Sequence, residues 1–127
     1  MKHTPAWLFA VGAAIVALPV AWPDAKSPAK VEEKLLRDLV GVPGKQLRMA
    51  TVKYPPGGSS PSHEHHAQVM VYVVEGSMRM QVKGQEPVVL GPGDTFYESI
   101  DDVHVVSANA SDTKPAKFVV FMVQDKK

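Results

Sequence analysis

An all-β sandwich or barrel is the architecture that this sequence predicts. Short apolar segments alternate with polar residues at period two, and clusters of glycine and proline separate them. From residue 46 onward these segments succeed one another without the regular exchange of strand and helix that marks a parallel sheet.

Residues 1–25 read as an export leader rather than as part of the fold. Met1-Lys2-His3 is a basic start, and residues 6–22 carry no charged side chain. That run is slightly short of the roughly 20 apolar residues a spanning helix needs. Cleavage after Ala21 or Ala25 would put Pro19 or Pro23 at the −3 position, so a retained N-terminal anchor is the alternative. An exported protein of the bacterial periplasm is expected, touching the membrane only if the leader is retained. Residues 26–34, with Ser27 and Pro28, read as a linker within which the folding chain begins near Val31, and 35–127 as the barrel domain.

Residues 31–40 fit two readings. Val31, Leu35, Leu36 and Leu39 match a helical period, yet a strand through 35–40 is equally consistent, and Gly41 and Pro43 end either one. The strands beyond are clearer. Segment 47–53 precedes the turn cluster 55–61, and 69–74 is a continuous apolar strand closing at Gly76. Met78, Met80 and Val82 alternate with Arg79, Gln81 and Lys83, and 88–90 leads into Gly91-Pro92-Gly93-Asp94. Segments 95–98, 103–107 and 117–123 complete the set.

With 127 residues there is room for one core. The chain has no cysteine, which excludes disulfides, thiolate metal sites and thiol catalysis. A formal charge of +1, with no basic stripe, removes the electrostatic footprint of a nucleic-acid binder, so no nucleic-acid partner is expected.

The chemistry gathers in the histidines. Three of the five lie in His63-Glu64-His65-His66, and His104 stands alone on a later strand. Side chains two apart on a strand share a face, so His63 and His65 point together while Glu64 and His66 point away. Paired neutral imidazoles suit iron, manganese, nickel, zinc or copper. Met78, Met80 and Met122 could offer soft donors to copper, but methionines alternating on a strand are more commonly core filler. Asn109-Ala110-Ser111 matches a glycosylation sequon.

The order Gly57-x5-His63-x-His65, with Gly76 eleven residues on, resembles the first cupin motif, and Gly93-x5-Ser99-x-Asp101-x2-His104 resembles the second. The resemblance implies a double-stranded β-helix jelly roll with His63, His65 and His104 converging on a divalent transition metal. The sequence also departs from the motifs. The glutamate ligand usual in cupins, six intervening residues before Gly76, is replaced by Val69. Ser99 and Asp101 stand for a proline and a glycine, and the usual asparagine is displaced to Asn109. Three neutral ligands would leave a divalent ion with its full charge, binding metal more weakly and anions more strongly. Gln68, Val69, Tyr72, Phe96 and Glu98 are counted as pocket lining or auxiliary ligands, although Gln68 would need a bulge to turn inward. Tyr97 is a further neighbour of the site.

Three functions fit the resemblance: a metal-dependent oxygenase or oxidoreductase acting on a small oxygen-bearing molecule, a non-catalytic domain binding a metal or small ligand, and a sugar-nucleotide epimerase-like cupin. The histidine doublet fits a metal better than the last. A small-molecule ligand or substrate is the expected partner, together with a homodimer built through edge strands.

Overall fold

The structure is a computed structural model and describes residues 28–127; the proposed leader therefore lies outside the described residues. Ten strands follow in chain order: β1 Lys30–Asp38, β2 Lys45–Tyr54, β3 Ser59–Ser60, β4 His63–Glu64, β5 Gln68–Glu75, β6 Met78–Val82, β7 Val88–Leu90, β8 Thr95–Glu98, β9 Val103–Asn109 and β10 Ala116–Asp125. No helix occurs among the described residues, as the sequence pattern predicts.

The strands form two antiparallel sheets. One has the order β1-β2-β10-β5-β8; the other runs β3-β9-β6-β7, with β4 also paired to β9. Neighbours in the sheets are distant in sequence, which is the jelly-roll topology. Between the sheets lies a core of Ala50, Val52 and Tyr54 from β2, Val69, Val71 and Val73 from β5, Met78 and Met80 from β6, and Phe118, Val120 and Met122 from β10. Each strand supplies every second residue, so the period-two pattern is the direct record of this packing. The methionines are core residues here: Met78 and Met80 are fully buried.

Of residues 31–40, 31–38 belong to a strand. β1 pairs with β2 from Lys30↔Lys53 to Asp38↔Gln46, with a register shift between Glu33 and Leu35. That irregularity breaks strict alternation and produces the spacing that mimics a helix in the sequence. The strand also starts five residues before the domain boundary expected at 35, because backbone pairing with β2 holds polar residues that carry no apolar signal.

Gly76 shows why the first motif closes on glycine. Its φ is +78°, and a Cβ there would stand 2.4 Å from the Pro115 carbonyl oxygen. A side chain would push β10 away from the end of β5.

Candidate metal centre

Two strands place the first pair of imidazoles. β4 pairs antiparallel with β9 so that His63 is the register partner of His104. β4 is only two residues long, and the chain turns at His66, whose φ of 49° lies in the left-handed region. His65 sits between that turn and the strand, and its ring meets that of His63 edge-on with centroids 4.5 Å apart. His66 and Glu64 are exposed.

A bulge sets His104. On β9 the buried side chains are His104, Ser107 and Asn109, and two residues separate the first two. Strict alternation would send His104 outward if Ser107 faces in. The pairing to β6 runs Gln81↔Val106 and then Val82↔His104, so Val105 is an extra residue that re-phases the strand.

The three side chains then converge. Each offers one ring nitrogen, and these lie within 4.8 Å of one another. His63 Nε2 and His65 Nε2 are 2.9 Å apart. Two nitrogens bound to one ion at about 2.1 Å stand about 3.0 Å apart at a right angle and about 3.4 Å apart at the tetrahedral angle, close to the His63–His65 separation. His63 Nδ1 lies 2.8 Å from the Pro61 carbonyl. A carbonyl only accepts, so Nδ1 donates and Nε2 keeps its lone pair, the arrangement in which a backbone carbonyl orients a metal-ligating imidazole. Burial foremost, then the imidazole of His63, with His104 and Arg48 also contributing, holds His65 below its ordinary pKa against the opposing pull of Glu98. His65 is therefore neutral at pH 7, as a ligand must be. The group can hold a metal ion.

A carboxylate stands beside them. Glu98 on β8 is 3% exposed. Its Oε2 is 3.7 Å from His65 Nε2, and its Oε1 lies against His104 Nδ1 without forming an aligned hydrogen bond. His104 Nε2 is likewise buried without a partner. Glu98, counted from the sequence among the possible auxiliary ligands, is thus the acid that stands beside the imidazoles, on β8 opposite Val69.

The centre opens on a cavity of about 340 Å³ between the sheets. Val69, Glu98 and Arg48 line it together with Tyr54, Met80 and Met122. The register places Arg48, Met122, Val69 and Glu98 in one row across four strands of the first sheet, with an acid and a base at its ends. The Arg48 Nε donates to Glu33 Oε2 at 3.0 Å, and its terminal nitrogens make no other hydrogen bond among the described residues. Tyr54 Oη is shared between Ser60 Oγ and Ser107 Oγ, the latter at 3.0 Å. Arg48 was missed in the sequence; its shared parity with Ala50 and Val52 was the one local signal, and only strand pairing puts it in the row with Glu98. The Tyr54–Ser60–Ser107 cluster left no local signal, since three separate strands build it.

Several expected neighbours lie elsewhere. Gln68 and Tyr72 sit on the outer face of β5 and are exposed, because no bulge interrupts the β5 alternation there. Tyr97 is exposed for the same reason on β8. Phe96 stacks on the His104 ring at 5.6 Å and supports it instead of lining the cavity. Asn109 is buried: its Nδ2 donates to the Pro55 and Lys114 carbonyls at 3.1 and 2.7 Å, tying two loops together. In the folded chain that nitrogen is not free for the sequon reaction.

Comparison with known proteins agrees with this geometry. A family model described as "Cupin domain" matches residues 50–122. No curated protein matches the chain. Among solved structures, a cupin domain from Bordetella pertussis Tohama I superposes with a TM-score of 0.61 at 19% identity, covering 79% of this chain and 97% of that one. An oxalate oxidase in complex with glycolate gives a TM-score of 0.59 at 25% identity over 74% of this chain and 50% of that one. The DMSP lyase DddQ from Ruegeria pomeroyi DSS-3 gives 0.57 at 25% identity over 64% of this chain and 40% of that one. The present chain therefore spans half or less of those two enzymes.

Proposed function

Because the chain belongs to the cupin family, we propose that it is a metal-dependent cupin in which His63, His65 and His104 hold a divalent transition ion beside a small carboxylate-bearing substrate. The observation that carries this reading is the convergence of three imidazoles in one cavity, one of them fixed through Nδ1 by a backbone carbonyl. A bound ion would supply Lewis acidity toward a coordinated oxygen and, as iron or manganese, electron exchange with an oxidant.

The remaining roles fall to the chain's own residues. Arg48 lines the cavity with a charge that a carboxylate can match, and Glu33 fixes its Nε side. Val69, Val71, Phe118, Val120 and Met122 form an apolar wall that restricts water around the centre. The glycolate complex of the oxalate oxidase, a small hydroxy-carboxylate in a related fold, supports the same substrate class. The leader reading of residues 1–25 puts this chemistry outside the cytoplasm as part of the same proposal.

One observation favours the second reading, a non-catalytic domain that retains a metal or small ligand. Among the cavity side chains the Tyr54 hydroxyl is engaged by two serines, and the acid and imidazoles present cluster at the metal centre itself, so no separate acid or base stands out for proton transfer. The test is metal analysis of untagged protein prepared without chelator, followed by oxygen uptake and product analysis with glycolate and oxalate. About one ion per chain with turnover establishes the enzyme. One ion with carboxylate binding but no turnover establishes the binding domain. Protein that takes up no iron, manganese, nickel, zinc or copper overturns both.

A further inference from the structure

Glu98 is a buried carboxyl group set against two of the three imidazoles. It is 3% exposed, and no Lys or Arg pairs with it among the described residues; its charged-group contacts are the imidazoles of His65 and His104. Its Oε1 has no hydrogen-bond partner. Removing a carboxylate from water costs several kcal/mol unless the site returns that energy through charge and hydrogen bonds. A divalent cation among the same rings would return most.

The backbone explains why the carboxylate arrives there. Glu98 on β8 is the register partner of Val69 on β5, and Val71↔Phe96 is the next inward pair along the ladder. Opposed side chains in an antiparallel pair have Cβ atoms about 4.5–5.5 Å apart on one face. Phe96 packs on the His104 ring, while Glu98 reaches His104 Nδ1 and stands 3.7 Å from His65 Nε2. Val69, 2% exposed, fills the opposite rung without competing for the ion.

We propose that Glu98 is the fourth protein ligand, completing a three-histidine, one-carboxylate site whose acid comes from β8. This rests on the reading of the three imidazoles as a metal centre. The carboxylate lowers the net charge of a divalent site by one, which tightens cation binding and moderates its attraction for anions.

The test compares native protein, Glu98→Gln, and the exchange Val69→Glu with Glu98→Val, all titrated with Co²⁺ and Mn²⁺ against a chromophoric chelator. Glu98→Gln is expected to weaken both ions by about 10- to 100-fold, the range that loss of a supporting site group already reaches. The exchange variant should recover affinity to within about tenfold, because a carboxylate from the opposite rung enters the same space. Should the exchange variant misfold, the visible spectrum of the Co²⁺ complex decides: a band shift between native and Glu98→Gln supports ligation, and an unchanged band overturns it. Native affinity in Glu98→Gln overturns the assignment while leaving the three-histidine centre standing. A folded exchange variant that stays as weak as Glu98→Gln also overturns it, since Glu98 would then act only through His104. Native protein that binds neither ion fails the underlying reading instead.

Discussion

His63 and His104 face each other as register partners across β4 and β9, so a strand pair rather than a loop fixes the heart of the centre. Removing either imidazole leaves the backbone ladder intact and deletes one donor. His63→Ala, His65→Ala and His104→Ala are each expected to weaken metal binding by at least about 100-fold, beyond what loss of an outer supporting group costs. Circular dichroism should stay native. Full metal occupancy in all three variants would remove the site.

The β9 bulge gives a second expectation. Deleting Val105 leaves His104 and Ser107 two positions apart, so a regular, unbulged β9 keeps both inward. The variant should keep native metal stoichiometry. Loss of metal binding in a folded deletion variant would show that β9 needs the extra residue to aim His104.

Arg48 tests the substrate class. Arg48→Gln removes the cavity cation while keeping a polar side chain, and a charged hydrogen bond is worth about 1.5–3 kcal/mol. Glycolate or oxalate binding to metal-loaded protein should weaken by about 10- to 100-fold in calorimetry, with metal affinity nearly unchanged. Undiminished carboxylate binding would place the anion elsewhere.

The pH dependence of the metal-free chain follows from His65. Its folded pKa lies below the ordinary value, mainly through burial, so in the window beneath about 6.5 the unfolded chain binds the proton more readily. Stability from this group is fully present above that pH and is lost as pH falls through the folded value. Melting temperatures should drop from pH 7.5 toward pH 5, and His65→Gln should flatten the slope. Any stabilisation from Glu32 and Asp38, lowered chiefly by hydrogen bonds from Lys34 and Lys126, is present throughout that window and is lost only as pH falls below the ordinary carboxylate range. An identical slope in His65→Gln would reassign the effect.

Much of the fold could be read in advance. The inward residues of β2, β5, β6 and β10 alternate so regularly that burial and sequence parity coincide. β1 was ambiguous because its register shift disguises the alternation, and its mostly exposed face leaves little apolar record. His63 and His65 were legible as a pair because both sit within one short segment. His104 was placed with them only through the family resemblance, since nothing local in β9 shows which way its ring turns.

Composition, turn residues and period-two spacing were enough to specify an antiparallel β protein with one core and a histidine doublet, since these depend on neighbours along the chain. The position of Glu98 opposite Val69, the inward turn of His104 and the row ending in Arg48 all needed the strands to be paired. Register is a relation between segments distant in sequence, and one extra residue, Val105, reverses which face a side chain takes.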